Sequence, residues 1–124
     1  MHRYLNSDHV ALQARVRRFG ENAIAPVARE LDETAEFPWE NAKLMAEMGL
    51  FGVPVPKELG GLGLDYMSYI LVVEELAKFD ASHSITVSAH TTLGTSPIVA
   101  FGTEDQKEGM AAYVEKRSAH FKDK

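Results

Sequence analysis

The sequence contains no cysteine, which excludes disulfides, thiolate nucleophiles and zinc-thiolate sites together and agrees with a reducing compartment. No apolar run approaches the roughly 20 residues of a membrane-spanning helix, and polar residues between Met1 and His9 fill the place where a signal peptide would carry its apolar stretch. A soluble protein of the cytoplasm, or of the mitochondrial matrix in a eukaryote, is expected. Positive charge is in deficit as well. Thirteen Lys and Arg stand against 18 Asp and Glu, a net charge of −5, which argues against nucleic acid or anionic lipid as the principal partner. Neither a G-x-G-x-x-G fingerprint nor a Gly-Lys-Ser/Thr phosphate loop occurs, so the glycines at 60, 61 and 63 point to a tight turn.

What remains is the make-up of one globular domain: 124 residues, 45% hydrophobic and 25% charged, enough to bury a single core. Leu12, Val16, Phe19 and Ala23 recur at helical spacing, and the helix they mark begins near Asn6 or Ser7. Pro26 then suits the start of a second helix through Val27 and Leu31, because its missing N–H would be unpaired there. Pro38 and Gly49 bracket a third, with Trp39, Ala42, Met45, Ala46 and Met48 inside. Glycines and prolines from Leu50 to Leu64 predict an irregular loop with a brief extended contact at Val53 and Val55. Asp65 can cap a long, central helix through Tyr69, Val73 and Leu76. Asp80 or Ser82 starts another, which Gly94 can close before Pro97 opens a short apolar turn. Thr103 and Gln106 form a capping box for a last helix carrying Met110 and Val114. The expectation is an all-α fold of about six helices over residues 1–115, with one Gly/Pro-rich loop and a frayed charged tail over 116–124.

Few side chains suggest chemistry by themselves. Glu74 and Glu75 are adjacent in a helix and point about 100° apart, which suits a solvated or ion-paired surface better than a shared substrate. His83 and His90 lie seven residues apart, too far for the usual pair of helical metal ligands, so no metal site is expected. Ser84 and Ser88 lack a G-x-S-x-G elbow. A stripe of Met45, Tyr66, Met67 and Tyr69 reads first as core and second as the lining of a groove.

Several segments in fixed order carry a resemblance: Ile24-Ala25-Pro26-Val27-Ala28, Met48-Gly49-Leu50-Phe51-Gly52, Pro56-Lys57-Glu58-Leu59-Gly60-Gly61-Leu62-Gly63-Leu64-Asp65-Tyr66, Glu74-Glu75-Leu76-Ala77, and Pro97 through Lys107 with Gly102-Thr103-Glu104-Asp105-Gln106-Lys107. Over about residues 5 to 108 the chain resembles the N-terminal helical domain of flavin-dependent acyl-CoA dehydrogenases. Such enzymes oxidise the Cα–Cβ bond of an acyl-CoA thioester: a glutamate removes the α-proton and the β-hydride goes to the FAD. The resemblance places that glutamate in a C-terminal bundle and most of the flavin cradle in a middle β-domain. Neither follows here, since after Lys107 the sequence departs from the family pattern. A truncated or frameshifted gene, a designed fragment and a genuinely short relative all stay open. The chain by itself is therefore expected to bind no FAD and to be inactive, with no catalytic residue of its own.

The resemblance also implies site residues. Ile85, Thr86, Ala89 and Leu93 match the helix that lines the fatty-acyl pocket, with ordinary packing as the competing reading. Leu12, Val16, Leu50, Leu62, Leu64 and Val72 match an apolar hollow on which the electron-transferring flavoprotein docks, although a core would show the same character. Acyl-CoA and that flavoprotein are the implied partners. Loss of the companion domains would expose apolar surface and favour a homo-oligomer or domain-swapped form. A non-enzymatic helical interaction or self-association module is the alternative to a dehydrogenase domain.

Overall fold

A computed structural model describes residues 3–115; the tail expected over 116–124 lies outside the described residues. The side chain of Asn6 accepts from His9 N–H at 2.9 Å and starts helix α1 (Ser7–Phe19). His9 Nδ1 accepts in return from Asn6 N–H at 3.2 Å, so a histidine fills the place usually held by Glu or Gln in a capping box. The chain then stays helical past Pro26, where a break was expected. A π-helical turn, Gly20–Ile24, joins α1 to α2 (Ala25–Thr34), with Ala25 N–H donating to Gly20 C=O five residues back. In a regular α-helix the Pro26 ring would crowd the Asn22 carbonyl and leave it without a donor; the wider turn accommodates both.

The same device recurs later. A π-helical segment, Ala89–Thr95, joins α5 (Ala81–Ser88) to α6 (Ser96–Phe101), and Ser96 N–H donates to Thr91 C=O ahead of Pro97. Gly94, expected to close a helix, lies inside this segment instead. Between the two joined pairs stand α3 (Trp39–Glu47) and α4 (Tyr66–Phe79), and α7 (Glu104–Glu115) completes the order. The described residues thus make five continuous helical stretches and no strand, an all-α domain near the expected six helices. Joining the first two expected helices through a π turn accounts for the smaller number, while the turn expected at Pro97 becomes α6, continuous with α5.

Gly49 ends α3 at φ 77°, a left-handed conformation that suits glycine. The loop beyond it contains two short 3-10 turns, Leu50–Gly52 and Lys57–Leu59. The brief extended contact expected at Val53 and Val55 does not form as a strand, since Val53 is helical in backbone (φ −53°, ψ −52°); the loop is tied instead by hydrogen bonds to their carbonyls from Leu64 N–H (2.9 Å) and Gly63 N–H (2.8 Å). Asp65 caps α4 through Ser68 N–H at 2.8 Å, Asp80 caps α5 through His83 N–H, and Thr103 and Gln106 cap α7 reciprocally.

Helix α4 is central and packs mainly against α1 and α5. Its apolar stripe buries Tyr69, Leu71, Val72 and Leu76, and the core around it gathers Leu12, Val16, Ile24, Met45, Leu50, Val53 and Val87. A cavity left by Leu76→Ala would cost about 3 kcal/mol. The turn at Lys57–Leu59 and helix α6 support α7.

Candidate functional site

Two buried groups, Glu75 and His83, and the exposed helix cap Asp65 need an account before the apolar surface is considered. Glu75 is completely buried on α4, yet Arg17 approaches it through Nη2 (2.8 Å) and Nε (3.2 Å), and Lys78 Nζ lies at 2.8 Å. Burial pushes the Glu75 carboxyl up, but the hydrogen bonds from Arg17 and Lys78 outweigh it and hold the group below the usual range. The Arg17 guanidinium is held above its ordinary value by the same hydrogen bond. Glu75 is therefore a structural anion between α1 and α4. Neighbouring Glu74 is exposed, and the two carboxylates do not share a site.

His83 is also buried. Its Nδ1 lies 2.6 Å from Asp80 and its Nε2 lies 3.1 Å from Asn41 Nδ2, which also donates to the Ala23 carbonyl in the first π turn. Every polar edge of the ring is thus occupied by the fold, and Ser84 Oγ donates to the Val73 carbonyl. No group of three His, Asp or Glu able to hold a metal forms among the described residues.

Asp65 joins the starts of α1 and α4. Ser68 donates to it from both its hydroxyl (2.7 Å) and its backbone N–H, and His9 Nε2 lies within 3.0 Å of both carboxylate oxygens. The Ser68 hydroxyl, the Ser68 N–H and His9, in that order, hold the Asp65 carboxyl down to about 2. Ser68 bonds the aspartate rather than the histidine, so the three residues make a cap and not a nucleophilic triad.

The outer side of residues 81–101 differs from this satisfied interior. Its inner face buries His83, Ser84, Val87 and Thr91, and Thr91 Oγ1 donates to the Phe51 carbonyl. On its outer face Ile85 is 64%, Leu93 77% and Phe101 90% exposed. Thr86 and Ala89 are half-buried between the two faces. The four acyl-pocket candidates therefore lie on one continuous helical stretch, with Ile85 and Leu93 presented outward. No Asp, Glu, Lys or Arg occurs from residue 81 to residue 103. Pro97, Ile98 and Phe101 extend the apolar surface to Gly102 and Gln106 around a shallow hollow. The length of this uncharged run is legible in the sequence and was not singled out there.

The six docking candidates separate. Leu12, Val16, Leu50 and Val72 are core residues, packed around α4 where a partner cannot touch them while the domain is closed. Leu62 is half-buried beside the core, and Leu64 is exposed. Of the aromatic and sulfur stripe, Met45 and Tyr69 are buried, while Tyr66 and Met67 face outward.

The glycine loop does not form a phosphate cradle. A Cβ at Gly61 would lie 2.1 Å from the Val55 carbonyl oxygen, so this glycine lets two stretches of backbone meet. The described residues do not fit the diphosphate of a flavin there.

Residues 6–114 match the family model of the acyl-CoA dehydrogenase N-terminal domain. The chain is 45% identical over 104 residues to the short-chain specific acyl-CoA dehydrogenase of Clostridium acetobutylicum, covering 84% of this chain and 27% of that protein. It is 37% identical over 108 residues to the mitochondrial short-chain specific enzyme of Bos taurus, covering 87% and 26%. Among solved structures, butyryl-CoA dehydrogenase from Megasphaera elsdenii superposes with a TM-score of 0.83 at 37% identity, over 93% of this chain and 31% of that one. A chain in a structure of the electron transferring flavoprotein of Acidaminococcus fermentans gives 0.85 at 38% identity, over 96% and 32%. The chain spans about a quarter of the length of these curated relatives. Shared segments, shared fold and these identities lead to one conclusion: the chain belongs to the acyl-CoA dehydrogenase family and carries that family's N-terminal domain.

Proposed function

We propose that this domain forms one wall of an acyl-CoA binding site in a flavin-dependent dehydrogenase that oxidises the Cα–Cβ bond of an acyl-CoA thioester. The observation that carries the reading is the uncharged outer face of residues 81–101, on which Ile85 and Leu93 lie beside Thr86 and Ala89. An acyl chain requires an apolar wall without charge, because burying an unpaired charge beside it would cost several kcal/mol, on the order of the penalty for an uncompensated ion. The small side chain of Ala89 leaves room between the two larger ones. FAD and the base belong to parts of such an enzyme outside this domain, so the 124-residue chain by itself is expected to be colourless and without turnover. In this reading Leu62 and Leu64 remain available to an electron-transferring flavoprotein, and the protein works in the cytoplasm or mitochondrial matrix.

The test is a hybrid enzyme in which residues 6–114 replace the matching segment of the Clostridium acetobutylicum relative. The hybrid is expected to bind FAD and to oxidise butyryl-CoA, with a raised KM when Leu93 becomes Gln. A folded, flavin-loaded hybrid that leaves every acyl-CoA unoxidised would overturn the proposal. A second reading, a non-enzymatic helical docking or self-association module, draws on the same exposed face. It predicts that the isolated chain binds a protein through residues 81–101, and that Leu93→Gln weakens that binding.

A further inference from the structure

The capping box that starts α1 contains a titratable ring, and its hydrogen bonds fix where that ring carries its hydrogen. Asn6 N–H can only donate, and it meets His9 Nδ1 at 3.2 Å, so Nδ1 presents a lone pair. Nε2 therefore holds the hydrogen and donates it to the Asp65 carboxylate, whose oxygens lie at 3.0 and 2.9 Å. In this arrangement His9 is neutral and serves two helices, closing the cap of α1 with one nitrogen and bracing the cap of α4 with the other. The Glu or Gln usual in a capping box accepts at any pH near neutrality. Histidine is the side chain that ordinarily changes charge between about pH 5 and 8.

A proton added to Nδ1 turns that acceptor into a donor facing a donor, and the bond from Asn6 N–H is lost. The charged ring then sits at the positive ends of two helix dipoles, those of α1 and α4. Asp65 pulls the other way: its carboxylate, held down to about 2, stays ionised while an imidazole titrates and draws the cation towards α4. Asp8, the acidic residue in the first turn of α1, adds negative charge on the other side. The His9 side chain is 8% exposed, but Asn6, Ser7 and Asp8 around it are open to water, so a proton reaches Nδ1 without opening the core. We propose that His9 is a proton switch: neutral, it holds the first turn of α1 closed through Asn6; protonated, it releases Asn6 and pairs with Asp65 on α4.

Nuclear magnetic resonance of the full chain follows both ends of the switch. At pH 8 the His9 ring is expected to carry its hydrogen on Nε2. On acidification the Asn6 amide proton should move upfield, away from its hydrogen-bonded position, with the midpoint at which the His9 ring titrates. Protection of Asn6 N–H against exchange, compared with His9→Gln at the same pH, should fall about five-fold across the transition, as one hydrogen bond is lost. His9→Gln keeps a capping-box side chain that cannot titrate, so its helix content should match while its Asn6 amide shows no such midpoint. A hydrogen found on Nδ1 at pH 8 would overturn the proposal. So would an Asn6 amide that does not follow the His9 midpoint, or one that keeps that midpoint in His9→Gln.

Discussion

The two π-helical segments solve one backbone problem in opposite surroundings. Each precedes a proline near the start of the following helix, Pro26 in one case and Pro97 in the other. The first is covered at both ends of its inner side, where Ile24 is fully buried, Asn41 donates to the Ala23 carbonyl and Phe79 lies against Gly20, and it turns the polar Glu21 and Asn22 outward. The second is anchored on its inner side by Thr91 and left bare on its outer side at Leu93 and Gly94. Proline chemistry therefore decides the turn, and packing decides what the turn is used for. One segment closes the core, and the other presents an uncharged surface to whatever is built against it.

The sharpest way to separate the two regions is through Glu75, whose ion pairs hold α1, and with it the first π turn, against α4. Glu75→Ala removes both ion pairs and leaves a cavity at a fully buried position, while Arg17 and Lys78, each about half exposed, turn to solvent; it should lower unfolding free energy by about 3 kcal/mol, measured by urea titration. Because the folded Glu75 lies below 4.5, its contribution is complete above that value and is lost as pH falls through the folded pKa. Asp65, lowered to about 2 from 3.8, behaves alike, so stability should decline from about pH 4.5 towards 2. Asp65→Asn should remove part of that decline.

Glycine exchange offers the next largest contrast. At Gly20 a Cβ would meet the Phe79 ring at 2.2 Å, and Gly20→Ala should destabilise by about 2 kcal/mol through overpacking. At Gly94 nothing lies within 4 Å, and Gly94→Ala should stabilise by about 0.5 kcal/mol, since alanine loses less freedom in a helix. Similar urea midpoints for the two variants would break the comparison. Leu93→Gln should produce the smallest change in stability, within about 0.5 kcal/mol, while weakening whatever binds the outer face. A large loss of stability would mean that Leu93 packs within the domain.

Much of this architecture is legible in the residues. Asp65 and Thr103 cap the helices they were expected to cap, and of the paired candidates Asn6 rather than Ser7 and Asp80 rather than Ser82 do so, because a short polar side chain before an apolar period favours that use. The π joins were not legible: a proline without its N–H looks the same at a helix start and after a π turn. Glu75 was ambiguous for another reason. Its main partner, Arg17, lies 58 residues away, beyond any local spacing rule. Leu12, Val16, Leu50 and Val72 show that apolar character does not distinguish a hollow that faces out from a core that faces in.

The absence of charge from residue 81 to residue 103 has a consequence for ionic strength. Added salt screens exposed pairings, such as Arg29 with Glu33 on α2, and weakens contacts that depend on them. The outer face of residues 81–101 carries no Asp, Glu, Lys or Arg for salt to screen, and strongly excluded anions such as sulfate raise the cost of leaving it wet. Contacts made there should tighten in the solutions that loosen exposed ion pairs, so one molecule carries surfaces of opposite salt response.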